Sequence, residues 1–224
     1  PTKLWPYMQR GYVYFLMQDL HSANESFKIN HVNAPVSYKL TQRYLSKAQP
    51  GEILDVDTLS SLLEDLNIQR SKAILLIMML YDRYKRESLL EHSRIVKIVL
   101  HKFNRHWEDR LFIFDAKESS LQLSGKGLSY FSTRRNTRDS NEESIALLQT
   151  LSLKNLDLRG SDIHKLSELK GLHIEVLDIR KTLINDCSEI HSILPKLKRL
   201  IVTKSQVKSH ITQVKNKRLK IIVK

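Results

Sequence analysis

The chain has 224 residues, 41% of them hydrophobic and 27% charged, so it can bury a sizeable core and is not a disordered tail. Its formal charge of +13 is unevenly spread: through Arg110 sixteen Lys and Arg stand against twelve Asp and Glu, beyond it twenty-one against twelve, and after Glu189 no acid follows. The most apolar run, AILLIMML at 73–80, is too short to span a bilayer, and the single cysteine, Cys187, excludes an internal disulfide and a cysteine-rich zinc site and suits a reducing, cytoplasmic compartment.

The chain opens PTKLWPYM with neither an initiator methionine nor a signal-like segment, the expectation for an excised or processed start. From Leu4 to about Trp107 the apolar residues recur at helical spacing, punctuated at Pro35, Pro50 and Gly51, and predict five or six helices. In the first pair Gly11, Tyr14, Ala23, Phe27 and Pro35 follow at intervals of three, nine, four and eight. That spacing resembles one tetratricopeptide unit of about thirty-four residues, with Tyr7 at its tryptophan-like position and Arg10 at its leucine position. The resemblance implies that small residues let two antiparallel helices approach, large ones fill the seam, and Pro35 ends the second helix. No second copy follows Pro35, so a single helical hairpin is expected and not a groove built of several repeats.

The stretch LLEDLNIQRSKAILLIMMLYDRYKR at 62–86 admits a helix-turn-helix reading with LNIQRS at the turn. The run from Ala73 to Leu80 is apolar all round, however, which predicts a buried helix rather than one laid against phosphates, with YDRYKR as its exposed continuation. His101 and His106 are five apart and fall on different helical faces, unlike a zinc-binding i, i+4 pair. They are read as surface or capping residues, and neither a metal nor a cofactor is expected.

From about residue 107 the chain repeats itself. LDLRGSDI at 156–163 returns as LDIRKTLI twenty-one positions later, so Leu156, Leu158 and Ile163 correspond to Leu177, Ile179 and Ile184. Leu200, Val202 and Val207 continue the register at an offset of twenty-three, Ile221 and Val223 begin one more copy, and Leu121, Leu123 and Leu128 supply one upstream. Between strands Leu166 and Leu169 match Cys187 and Ile190, which makes Cys187 a buried structural thiol. In each LxL the two apolar side chains face one side of the strand and the residue between them faces the other. Five strands at this period resemble a leucine-rich repeat, which implies a parallel sheet on a concave side and irregular returns on a convex side. Where that family carries asparagine this chain has Lys126, Ser161, Thr182 and Ser205; hydroxyls can take part of the amide's role, and Lys126 marks the first unit as an irregular cap. The polar stretch STRRNTRDSNEES, which begins at Ser132 and reads as 132–144, interrupts the repeats as an exposed insertion. SGKGL at 124–128 lacks the longer glycine spacing of a phosphate-binding loop and is assigned to a repeat turn.

The expected fold class is therefore α+β: a helical, tetratricopeptide-like domain over 1–106 and a leucine-rich repeat domain over 107–224 with a parallel sheet of about five strands. This order of parts resembles the carboxy-terminal regions of some bacterial eukaryote-type serine/threonine kinases, which implies a catalytic domain upstream; within the chain there is no glycine-rich ATP loop, no strand lysine in a VAIK-like context, no HRD and no DFG. No enzyme activity is expected. Asp157 and Asp178 should stack on adjacent strands, as should Arg159 and Arg180, with Arg199 and Lys220 in a neighbouring row and Lys224 at its end. The acids and bases either neutralise one another diagonally or form a face that binds a protein partner or acidic peptide. A basic tail that binds nucleic acid is the competing expectation.

Overall fold

The computed structural model describes residues 5–29, 35–132, 147–208 and 219–224. The polar insertion from residue 133 onward and the basic positions Lys215, Lys217 and Arg218 lie outside the described residues. The protein is α+β, with helices mostly in the amino-terminal half followed by a six-stranded, mostly parallel sheet. It divides into two compact units at Val99 and Leu100.

In the first unit, α1 (Trp5–Leu16) and α2 (Leu20–Ile29) form a helical pair. Gly11 is where they approach: a Cβ there would lie 2.6 Å from the Phe27 ring, which is fully buried and meets Tyr12 edge-on at 5.4 Å between centroids. The second helix is described as far as Ile29, and the residues between it and Pro35 lie outside the described ones; Pro35 itself opens α3 (Pro35–Tyr44), the position where a missing N–H costs nothing. Next come α4 (Val56–Asp65), α5 (Ile68–Lys85) and α6 (Leu89–Phe103). Asp55 caps α4 by accepting from the N–H groups of Asp57 and Thr58, both at 2.9 Å. The apolar run in α5 is not buried all round: Leu75, Leu76, Met78 and Met79 face the core, whereas Ile77 and Leu80 are 45% and 37% exposed.

The second unit begins within the last turn of α6, a few residues before the boundary the periodicity suggested. Asn104 explains the shift. Its amide donates to the carbonyls of Leu100 and Tyr130, both at 2.9 Å, and its oxygen accepts from the N–H groups of Ser129 and Tyr130, stitching the helix end to the chain beyond the first strands. Trp107, fully buried, donates to the Ser124 carbonyl at 2.8 Å. Gly125 and Gly127, both at positive φ, press against the backbone of residues 106–108, where any Cβ would clash; they shape a turn rather than a phosphate cradle.

The sheet runs in the order β1 (Leu111–Asp115), β2 (Ser120–Ser124), β3 (Asn155–Asp157), β4 (Val176–Asp178), β5 (Arg199–Val202), β6 (Lys220–Val223). β1 is an additional strand, joined to β2 as an antiparallel hairpin, while β2 to β6 are parallel. Leu121, Leu156, Leu177, Leu200 and Ile221 stand side by side in register, so the offsets read from the sequence are the offsets of the ladder. The core beneath the sheet is filled by these leucines and by Ile163, Leu166, Leu169, Ile184, Cys187 and Ile190 from the returns. Two of the returns are short helices, α7 (Ile190–Ile193) and α8 (Lys204–Lys208).

Candidate functional site

The side of the sheet away from the core carries three rows, because successive residues of a strand alternate faces and in-register residues of parallel strands lie side by side. One row holds Asn155, Val176, Arg199 and Lys220; the next holds Gln122, Asp157, Asp178, Ile201 and Ile222. Arg159, Arg180, Thr203 and Lys224 follow two residues further along each strand. The seven charged residues singled out from the repeat thus share one face.

They do not act alike. Arg159 closes on Asp157 within its own repeat, its Nε at 3.0 and 2.9 Å from the two carboxylate oxygens and its Nη2 at 2.7 Å from Oδ2. Arg180 does the same to Asp178, with Nε at 3.0 and 3.1 Å and Nη2 at 2.7 Å. Each aspartate also accepts the backbone N–H of its arginine, at 3.0 and 3.1 Å, so Asp-x-Arg folds into a fork at the end of the strand. Among the described residues one diagonal contact joins the repeats, Arg159 Nε to Asp178 Oδ2 at 3.6 Å. Neutralisation therefore runs mainly along each repeat and only secondarily across the strands. Hydrogen bonding to Asp157, and to Asp178 in turn, pushes both guanidinium pKa values up, so both stay charged. Asp178, expected to face outward with the rest, is only 6% exposed, because the arginines of two repeats close over it.

Arg199, Lys220 and Lys224 differ. All three are exposed, and none has an acidic partner among the described residues. Arg199 and Lys220 are paired in register, and beside them the half-buried Ile201 and Ile222 occupy the row that held aspartates one strand earlier. The face thus changes along the sheet, from self-neutralised forks on β3 and β4 to an apolar track edged by uncompensated bases on β5 and β6.

The turn positions expected to replace asparagine separate in the same way. Thr182 donates to the Ile179 carbonyl at 2.7 Å, whereas among the described residues the buried Ser161 Oγ has no partner and Ser205 meets the Thr203 hydroxyl. The amide role in the later repeat belongs to the neighbour, Gln206. Its Nε2 donates to the carbonyls of Ile179 and Ile184 at 2.9 and 3.3 Å and to Thr182 Oγ1 at 3.3 Å.

A second polar constellation had no signal in the repeat. In the first unit Asp82 and His92 are fully buried, with His92 Nδ1 at 2.8 Å from Asp82 Oδ2. Arg86 binds the other carboxylate oxygen and donates to the Leu54 carbonyl at 2.7 Å. Burial alone would raise the Asp82 pKa, but hydrogen bonds from His92 and Arg86 outweigh it and hold the carboxyl below its ordinary value. Spacing offers one hint, Asp82 and Arg86 at i, i+4, but their closure with His92 depends on α5 meeting α6. The arrangement locks α5 to α6. Cys187 is likewise unsuited to nucleophilic chemistry, since burial pushes its thiol up to about 12. His106 is exposed and His101 half-buried, and among the described residues no three His, Cys, Asp or Glu could hold a metal ion. No helix among them is long and apolar enough to cross a membrane. Compared with known proteins, the chain matches no family model, no curated protein and no solved structure.

Proposed function

We propose that the protein is a non-catalytic interaction module whose sheet face on β5 and β6 binds an acidic peptide segment of a protein partner. One observation carries the reading: Ile201 and Ile222 form an apolar track flanked by Arg199 and Lys220 on one side and Lys224 on the other, with no acid to neutralise the bases among the described residues. A peptide that alternates acidic and aliphatic side chains matches both features. The 21- and 23-residue repeat, with its leucines in register, supports assignment to the leucine-rich repeat class, whose sheet faces serve such contacts. The order of helical segment and repeats supports a setting beside a serine/threonine kinase domain, and the single buried thiol suits the cytoplasm. A reading frame upstream of Pro1 that encodes no kinase would remove that setting without touching the binding face.

The face is tested with a fluorescent peptide of alternating Glu and Leu. Its affinity should fall at least tenfold when Arg199, Lys220 and Lys224 are replaced together by Glu, while thermal stability holds because all three are exposed. Equal binding by wild type and triple variant would sink the assignment. Arg159 and Arg180 are unsuitable for this test, since each neutralises an aspartate and their reversal disturbs the fold as well.

A further inference from the structure

At the other end of the strands lies a cleft of about 290 Å³, lined by polar groups from three consecutive repeats. Leu153, Leu172 and Ile174, all buried, form its floor; Ser152, Lys154, His173, Glu175 and Lys196 surround its mouth. Its shape comes from two turns in the left-handed region, Ser152 at φ 51° and Gly171 at φ 89°, which bend the chain back ahead of β3 and β4. Backbone bonds fix the rim: the Glu175 N–H donates to the Lys154 carbonyl at 2.7 Å, and the Lys198 N–H donates to the Glu175 carbonyl at 2.9 Å. Glu175 is thus held between a lysine on either side.

The charges around this mouth do not cancel. Lys198 pairs with Glu175 Oε2 at 2.7 Å and takes up that carboxylate's charge. The Glu175 carboxyl is held below its ordinary value first by the hydrogen bond from Lys198 and then by the charges of Lys198, Lys154 and Lys196. Yet Lys154 and Lys196 form no ion pair among the described residues. Two cations without an ion-pair partner among the described residues therefore line the cleft beside a single carboxylate. A hydroxyl at Ser152 and an imidazole at His173 add further hydrogen-bonding groups.

We propose that this cleft is an anion site for a phosphate group. A phosphate dianion matches the two unpaired ammonium charges, and its oxygens can accept from lysines, which bind phosphate as point charges. The site lies apart from the β5–β6 face and stands independently of the reading given for it. The phosphate can come free in solution or on a phosphorylated side chain, and the chemistry of recognition is the same.

The test is a 15N–1H chemical-shift titration at constant ionic strength, with sodium phosphate in one arm and a short phosphoserine peptide beside its unphosphorylated counterpart in the other. Saturable shifts are expected at the amides of Ser152, Gly171 and His173. They should weaken at least tenfold in the Lys154→Ala/Lys196→Ala double variant and persist in Lys165→Ala, an exposed lysine elsewhere in the same unit. Glu175→Gln should bind several-fold more tightly, because it removes the one repelling charge and frees Lys198. A structural disturbance would weaken binding in that variant, so its sign separates the two causes. Saturation by phosphate alone assigns the free anion, and saturation by the phosphopeptide alone assigns a phosphorylated side chain. Linear shifts that chloride reproduces, or unchanged affinity in the double variant, overturn the site.

Discussion

Asp82 shows how a single buried charge is kept. Two partners supply what water would have supplied, and Arg86 in turn ties the Leu54 carbonyl to α5. Because the folded pKa lies below the unfolded value of about 3.9, Asp82 contributes stability that is complete above that pH and is lost as pH falls through the folded value. Asp82→Asn should therefore flatten the acid limb of a stability–pH curve measured by urea unfolding, and at pH 7 should cost about 3 kcal/mol by leaving the buried Arg86 with only the exposed Glu91, at 3.2 Å, as counter-charge. A variant with an unchanged acid limb would show that Asp82 carries none of that dependence. At Gly11 the opposite economy holds, since what matters is the absence of a side chain. Gly11→Ala gains about 1 kcal/mol of helix propensity but forces a methyl to within 2.6 Å of a ring that is buried and already in edge-on contact with Tyr12. Overpacking of this kind costs about 1–3 kcal/mol, so the midpoint of thermal unfolding should fall rather than rise.

Elements here are defined as much by what closes them as by their own propensity. β3 and β4 are three residues each, too short to persist alone; the ladder continues past them through Leu158 N–H to Asp178 and Gly160 N–H to Arg180, and the Asp-x-Arg forks pin that continuation. α8 is five residues and is held through Gln206, whose amide reaches back into the preceding repeat. Gln206→Ala removes the side-chain donor of the Ile184 carbonyl and one of the donors of the Ile179 carbonyl, which keeps Thr182, a loss of about 1–3 kcal/mol. Hydrogen exchange should speed up locally across 199–206 before the rest of the sheet responds; uniform acceleration would show that the amide is not a local clasp. The helical spacing that announced α1 and α2 was legible because Gly11 and Phe27 must sit opposite one another. The start of α3 at Pro35 was not, since a proline is equally at home after a helix and at the first turn of the next.

Over the whole molecule, charge segregates. The acid-free stretch after Glu189 brings Arg199, Lys220 and Lys224 to one face and Lys196 and Lys198 to the rim. Exposed bases act over about a Debye length, roughly 8 Å at physiological salt. Capture of the acidic peptide should therefore weaken steadily from 50 to 300 mM NaCl but level off above zero, because the Ile201–Ile222 track contributes a term salt does not screen. A duplex DNA probe that binds more tightly than the peptide at low salt and loses affinity along a straight log–log line would favour the polyanion reading.

The sequence by itself determined the α+β order of parts and the register of five strands, because a period of two along each strand and of about twenty-one between strands is imposed by the backbone and cannot be met by accident of composition. It also marked the seven charges that share the sheet face. Only the tertiary structure decided which of them remain available, since the Asp157–Arg159 and Asp178–Arg180 forks depend on side-chain geometry beyond the last strand residue. The same holds for β1, whose run LFIFD has no alternation to announce a hairpin, and for Gln206 and the Asp82–Arg86–His92 cluster. Each of these is created by residues distant in the chain meeting in space, and one-dimensional spacing carries no record of that.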